Sequence, residues 1–388
     1  MSNIDALRGD AINALRRGDS KAARASFERA IALGGEDPSL YVGLAYACRG
    51  MGDAESELAA AERALLLEPR NLRALMIKGD RLAAKGDERS ASSFYLAALR
   101  SAPDESALSA ELRAELARAR AQCERYAAGL EGELMRRIGS EQLALPSSRR
   151  FAESLDVLLG KKTIYVQQPV YYYFPGLPAI AFHERGQFPF LEALEASTPA
   201  IREELLEVMR VDSAFKPYIE RDPNRPRNDQ QGLADNPDWS AFYLWKDGVP
   251  VAENAARCPR TMRALGAMPL CQVPNRSPTV LFSLLRPGAH IPPHTGMVNT
   301  RLIGHLPIIV PEGCTFRVGN EVRDWKEGKA WVFDDTIEHE AWNRSDKTRV
   351  ILLFDLWRPD LSAEERSLVS AMFEALDARA GVKPAWDM

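Results

Sequence analysis

The dipeptide Gly-Asp recurs at Gly18-Asp19, Gly52-Asp53 and Gly86-Asp87, a spacing of 34 residues both times. Twelve residues after each glycine stands Ala30, Ala64 or Ala98, and seventeen after it Gly35, Pro69 or Pro103. No other feature restricts the fold as strongly. A repeat of this size is one supersecondary unit that cannot bury its apolar face alone, so its copies must stack. The small residue lets paired helices approach closely, and the Gly or Pro stops a helix and starts the next turn. Composition agrees with helices: Ala supplies 30 of the first 130 residues, which hold only three of the 25 Pro and none of the seven Trp.

A unit with this period and these positions resembles the tetratricopeptide repeat. About three repeats fit into 1–103, although Glu57 falls where a small residue is usual and the segment at Pro38 is off register. From 104 to 138, Leu108, Leu112, Leu116, Ala119, Cys123, Tyr126 and Leu130 step by three and four, which predicts one long amphipathic helix. Residues 104–148 therefore read as a cap on the last repeat and a linker. The concave surface of such a solenoid would suit a protein or peptide substrate.

Ser147-Ser148-Arg149-Arg150 marks the next boundary, so 149–388 reads as a second domain. Pro175-Gly176-Leu177-Pro178 and Arg221-Asp222-Pro223-Asn224-Arg225-Pro226 punctuate it as turns. Leu191, Leu194, Ile201, Leu205 and Val208 predict one helix over 188–211. Short strands are predicted over 279–285, 301–310, 314–318, 329–333 and 350–356, each bounded by Pro, Gly, Asn or Asp, with a last helix over 363–380. Successive short strands point to an antiparallel barrel or sandwich. The chain is thus expected to be α+β and multidomain, an all-α solenoid followed by a strand-rich domain.

Charge excludes some partners. Lys+Arg at 50 against Asp+Glu at 54 leaves a net charge of -4, so no global basic field favours nucleic acid. No apolar run reaches the roughly 18 residues that span a bilayer. The first residues lack the basic stretch and apolar core of a secretory signal. Cys48, Cys123, Cys258, Cys271 and Cys314 are scattered and odd in number, which argues against a disulfide framework. A reducing cytoplasm is the expected setting.

Four of the five His (His290, His294, His305 and His339) fall within 50 residues of the strand-rich part, while His183 stands apart. Taken singly, each is an ordinary core or surface side chain. His290 and His294 are four apart, but Pro292 and Pro293 between them exclude the helix on which they would meet. His294 follows the strand 279–285 through a Pro-rich turn, and His339 follows the strand 329–333 through Asp334-Asp335. In a double-stranded β-helix two such strand ends can meet at one mouth, and two imidazoles suit Fe(II) with positions left open. Arg349 begins the next strand, where a cation could pair with a carboxylate beside a metal; in isolation it is a strand-end surface residue. Strand alternation puts Arg301, Ile303 and His305 on one face, where buried polar groups would need partners.

The stretch Phe282-Ser283-Leu284-Leu285-Arg286-Pro287-Gly288-Ala289-His290-Ile291-Pro292-Pro293-His294-Thr295-Gly296 resembles the core of aspartyl/asparaginyl β-hydroxylases. So do Asn299-Thr300-Arg301-Leu302, His305-Leu306, and the stretch from Phe333 through His339 to Asn343. Upstream, Trp239-Ser240-Ala241-Phe242-Tyr243-Leu244-Trp245-Lys246-Asp247-Gly248 is similar as well. The resemblance covers roughly 170–360 and is strongest over 279–358. It implies a double-stranded β-helix (cupin-like, a jelly roll) that uses Fe(II), 2-oxoglutarate and O2. By that resemblance His294 and His339 are the iron ligands, Ser283 and Arg349 hold the distal carboxylate of 2-oxoglutarate, and His305 with Arg301 lies near its metal-bound end. Gly296 stands where the wider superfamily has a carboxylate ligand, which is usual for this family. Ile303 departs from the Arg-Leu-Arg of animal members, so the inner carboxylate must be held differently, with His305 the candidate. Asp334, Asp335, Glu338 and Glu340 around His339 read as turn formers and orienters of its ring rather than ligands.

The implied reaction is hydroxylation of a C–H bond, with the β-carbon of Asp or Asn in a protein or peptide as the leading substrate. Hydroxylation of a lipid acyl chain or small molecule is the alternative. A missing carboxylate ligand is also compatible with halogenation. From a different class, the chain could be a tetratricopeptide interaction protein with an inactive barrel, against which the retained His294, His339 and Arg349 count.

Overall fold

The computed structural model describes residues 3–103, 108–143, 145–211, 214–220, 232 and 234–380. The turn expected at 221–226 and the first residues of the helix expected from 104 lie outside them. Two compact units divide between Lys162 and Thr163. In the first, Asn3–Arg16 (α1), Ser20–Ala32 (α2), Pro38–Gly50 (α3), Ala54–Leu67 (α4), Leu72–Ala84 (α5) and Glu88–Ser101 (α6) form three packed pairs, α1 with α2, α3 with α4 and α5 with α6. The Gly-Asp repeat is a turn and a cap together. Gly18, Gly52 and Gly86 take φ of 77°, 73° and 79°, a conformation that side chains disfavour. Asp19, Asp53 and Asp87 then accept from the backbone N–H of Ala22, Ser56 and Ser90 at the helix starts. Ala30, Ala64 and Ala98 are buried between the helices.

The long helix Ala110–Ile138 (α7) seals the last pair, burying Leu116 and Ala119 against Tyr95 and Ala98. Ser140–Leu143 (α8) and Arg149–Leu158 (α9) follow. The division comes later than the boundary expected at Ser147-Arg150. Lys161, just beyond α9, pairs with Glu131 of α7 at 2.5 Å, and Lys162 pairs with Glu153 and Asp156 of α9 itself.

Glu57, where the repeat favours a small residue, has a purpose in this chain. Its carboxylate is only 2% exposed and meets Arg49 at 2.6 Å and Arg81 at 3.3 Å. Arg49 also reaches Asp80 at 2.9 Å, and Asp80 takes Arg118 of α7 at 2.7 Å. The pairs thus link α3, α4, α5 and α7. Removing one partner of a fully buried pair costs roughly 3–5 kcal/mol. Here Arg49 and Arg81 remain 38% and 26% exposed, so water rehydrates them. Glu57→Ala is therefore expected to cost only about 1–2 kcal/mol, read as a lower urea midpoint with unchanged slope.

The second unit is strand-rich. Its larger antiparallel sheet runs Lys216–Pro217 (β1), Trp239–Lys246 (β2), Val280–Leu285 (β4), Arg349–Trp357 (β11), Arg301–Ile309 (β6) and Trp331–Phe333 (β9), with Val249–Pro250 (β3) beside β2. The smaller sheet runs His290–His294 (β5), His339–Asn343 (β10), Cys314–Val318 (β7) and Glu321–Asp324 (β8). This is a jelly-roll-like pair of antiparallel sheets. Alternation assigns the faces. Val350, Leu352, Phe354 and Leu356 of β11 pack outward on Leu191–Ala196 (α10), Thr198–Met209 (α11) and Pro259–Gly266 (α13), which follows Ala252–Arg257 (α12). Ile351 faces inward with Trp239, Ile303, Phe316, Trp325 and Phe333. Ala363–Ala380 (α14) buries Val369 and Phe373 against Cys271 and Met297.

The single helix expected over 188–211 is two, because Pro199 has no N–H to continue α10 and instead opens α11. The Pro-rich run His290–His294, expected as a turn, is the strand β5. Its prolines are tolerated because β5 is an edge strand, paired on one side only. Among the described residues no helix is long and apolar enough to cross a membrane.

Candidate active site

Two antiparallel strands bring the separated histidines together. His294, the last residue of β5, stands directly opposite His339, the first of β10. Their ring centres are 4.1 Å apart. His294 Nδ1 lies 2.8 Å from Pro292 O, and His339 Nδ1 lies 3.1 Å from Ile337 O. A carbonyl can only accept, so Nδ1 carries the proton in both rings and Nε2 keeps its lone pair. Burial pushes both pKa values below the usual imidazole range, and for His339 the neighbouring His294 adds to this. Two neutral imidazoles with oriented Nε2 atoms are the donor set a divalent transition metal takes. Among the described residues no group of three or more His, Cys, Asp or Glu converges as ligands.

The rings open into a cavity of about 370 Å³ that runs between the sheets and is also lined by Ser283, Arg301, His305, Trp325 and Arg349. Arg349, at the start of β11, is only 1% exposed. Its Nη1 lies 3.3 Å from Ser283 O and 3.4 Å from Ser283 Oγ, while Nε has no partner. No carboxylate among the described residues pairs with it. Burial alone pushes its pKa down to about 10. Ser283 Oγ also accepts from Trp239 Nε1 at 3.2 Å, so its own hydrogen is left to donate. His305 is buried beside Phe316 and Phe333, with Nδ1 unpartnered. Burial first, then Arg349, holds it well below the ordinary imidazole pKa. A buried cation and several donors without acceptors describe an anion site.

Arg301 is differently employed. Its Nη1 donates to Asp355 at 3.0 Å and its Nη2 lies 3.5 Å from Asp335. The guanidinium lines the cavity with two carboxylates already beside it, in contrast to Arg349. Ile303 stands beside it on the same inner face, so Arg301 and His305 are the polar side chains that β6 turns to the cavity, and of the two only His305 has no carboxylate beside it. No carboxylate of the four acidic residues near His339 orients its ring; the backbone of Ile337 does, joined by that of Asp335. Asp334 accepts from Thr336 and from the buried Arg358 at 2.7 Å. Glu338 and Glu340 pair with Arg317, and Glu340 also with His290, whose ring stacks on Trp342 outside the site. His183 is buried against Gln187 and Phe188, outside the cavity lining.

Asp335 is a participant whose place the spacing did not reveal. A Cβ added to Gly296 would fall inside the Asp335 carboxylate, and Gly296 N donates to Asp335 O at 2.7 Å. The glycine is what admits this carboxyl to the cavity. Burial, against the pull of Arg301, raises the Asp335 pKa to about 7. An extended strap fixes both loops: Gln168 N donates to Thr336 O at 2.7 Å and Val170 N to Gly296 O at 2.9 Å. Gly296→Ala is expected to destabilise the chain by about 1–3 kcal/mol, the usual cost of overpacking. A thermal melt reads it; an unchanged midpoint would mean that the loops yield freely. Trp239, Tyr218 and Tyr243 were also not assigned roles from sequence. Tyr218 stacks on Trp239 at 4.1 Å, and together with Tyr243 they wall the cavity; the aromatic run 239–245 was the available signal.

Residues 195–359 match the family described as Aspartyl/Asparaginyl beta-hydroxylase. Aspartyl/asparaginyl beta-hydroxylase of Homo sapiens is 36% identical over 191 residues, 49% of this chain and 24% of that protein. Ornithine lipid ester-linked acyl 2-hydroxylase of Rhizobium tropici is 37% identical over 180 residues, 46% of this chain and 60% of that protein. Human aspartate beta-hydroxylase domain-containing protein 2 is 32% identical over 212 residues, 54% of this chain and 55% of that protein. The match takes in less than two thirds of each of these relatives. Among solved structures, the Sgt2 TPR domain from Aspergillus fumigatus is similar at a TM-score of 0.29 and 18% identity, over 34% of this chain and 85% of that chain; a score that low decides nothing about the fold.

Proposed function

We propose, proceeding from the match of residues 195–359 to the aspartyl/asparaginyl β-hydroxylase family, that this chain is an Fe(II)- and 2-oxoglutarate-dependent hydroxylase of a C–H bond. The observation that carries the reading is Arg349, a buried cation without a carboxylate, in the same cavity as two imidazoles with free Nε2 lone pairs. A ligand that chelates a metal at one end and carries a carboxylate at the other satisfies both. His294 and His339 would hold the metal through Nε2. Arg349 would take the far carboxylate with two N–H donors, and Ser283 would add its hydroxyl. His305 would donate at the inner carboxylate, where Ile303 offers nothing. When bound, Fe(II), 2-oxoglutarate and O2 would supply an oxidative decarboxylation to succinate and CO2 coupled to hydroxylation. The aromatic side chains in the wall lower the local dielectric, which strengthens polar contacts inside.

The substrate in this reading is Asp or Asn in a protein or peptide, in keeping with the name of the human relative, and the helical repeats would hold it. An acyl chain is the second reading. It is supported by the apolar and aromatic walls around the histidines, Trp239, Tyr218, Ile291 and Met297, and by the name of the R. tropici relative. A cytoplasmic setting belongs to the proposal, since all five cysteines are unpaired. Anaerobic titration of metal-free protein with Fe(II) and 2-oxoglutarate tests it, because the chelate has a visible charge-transfer band and no substrate is needed. A saturable band supports an oxygenase site. Its absence in folded protein would favour an interaction protein with an inactive barrel.

A further inference from the structure

Trp325 follows β8 directly and is buried at the Arg349 end of the cavity. The guanidinium carbon of Arg349 lies over its ring, 4.7 Å from the centroid. The indole is itself held in a run of rings, stacked with Phe316 at 5.3 Å and with Trp331 at 5.8 Å. Apart from the long contacts to Ser283, this ring is the partner that the structure gives Arg349. Among the described residues this buried, flexible side chain has no carboxylate to fix its rotamer, only the ring and the long contacts to Ser283. An aromatic face supplies attraction to the cation while leaving its N–H donors unused. A carboxylate in the same place would have neutralised Arg349 and closed the site to an anion.

We infer that Trp325 is the positioning residue that holds Arg349 for the far carboxylate, and so selects a 2-oxo dicarboxylate over a 2-oxo monocarboxylate. The inference rests on the reading of the cavity as a 2-oxoglutarate site. A desolvated cation–aromatic contact is worth enough to change affinity by about ten- to thirty-fold. That change falls on the carboxylate Arg349 would bind, not on the chelating end, which the histidines govern.

The test is anaerobic titration of the Fe(II)-loaded full chain with 2-oxoglutarate and with 2-oxopentanoate, which lacks the second carboxylate. Dissociation constants are read from the chelate band and from calorimetry. Trp325→Leu is expected to weaken 2-oxoglutarate about ten- to thirty-fold and to leave 2-oxopentanoate within about two-fold. Trp325→Phe keeps a ring face and should retain the wild-type preference within about three-fold. Unimpaired binding of 2-oxopentanoate shows that the variant site is folded; if Trp325→Leu does not fold, Trp325→Met replaces it. A wild-type preference in the Leu or Met variant would overturn the inference and leave the cosubstrate reading intact. So would an equal loss for both oxo acids, or a Phe variant as weak as Leu. Failure of wild type to bind either oxo acid would overturn both.

Discussion

Replacing His294 and His339 together by Ala is expected to abolish the Fe(II)–2-oxoglutarate chelate band and to lower turnover by at least about a thousand-fold, the scale of losing an essential catalytic unit. The two rings face each other from paired strands, 4.1 Å apart. No third ligand group among the described residues would keep a metal in place. The double variant is the informative one, since a single remaining imidazole could be supplemented by water. The rings also leave a mark on the metal-free protein. Both are held below the ordinary imidazole pKa, so in acid the unfolded chain binds protons that the folded chain resists. Stability of metal-free wild type should therefore fall as pH drops below about 6.5, and less steeply in the double variant. The remainder belongs to His305 and His183, which burial depresses in the same way, and is opposed by the raised carboxyl of Asp335. A double variant that still shows the chelate band would place the metal elsewhere and remove the basis of the proposed function.

The helical unit was legible because its chemistry is local. Gly52 and Asp53 make a turn and a cap wherever they occur, and a 34-residue period repeats them in register. The five strands expected from composition all exist, since bounded runs of β-branched and aliphatic residues express a pleated, half-buried surface. What the spacing could not show was tertiary. The edge position that lets Pro292 and Pro293 sit in β5 is a property of sheet order. So is the partnership of Arg301: Asp355 stands across β6 and β11 from Ile303, and nothing in the run 301–305 announces it. Asp335 reads as a turn residue until Gly296 is seen to lie under its carboxylate. His294, His339 and Arg349 were candidates from their places at strand ends, and Ser283 from a resemblance alone; the fold brings the first two together and sets Arg349 on Ser283 in the same cavity.

Arg349→Met is expected to have two opposite effects: weaker 2-oxoglutarate binding by about 10²–10³-fold, and a ligand-free protein more stable by about 1–2 kcal/mol. The first follows from charge-assisted hydrogen bonds, each worth roughly 1.5–3 kcal/mol. The second follows from burial. The guanidinium pKa falls from 12.5 to about 10 with no carboxylate to offset it, a cost on the order of 3 kcal/mol. Loss of the contact with Trp325 returns about 1–2 kcal/mol of that, and Met fills much of the volume left by the arginine stem. The sign with pH is fixed as well. The penalty is fully present below pH 10 and fades only as the folded guanidinium loses its proton toward 12.5. The gain in the variant should therefore be constant from about pH 6 to pH 9. Urea denaturation measures it, and the chelate titration measures the loss. Metal with 2-oxoglutarate should raise the melting temperature of wild type and barely move that of the variant. A less stable Arg349→Met would mean that the cation serves the fold. A more stable one that no longer binds 2-oxoglutarate would mean that the chain keeps a buried, unpaired charge at the expense of its own stability, for the sake of an anion it has yet to bind.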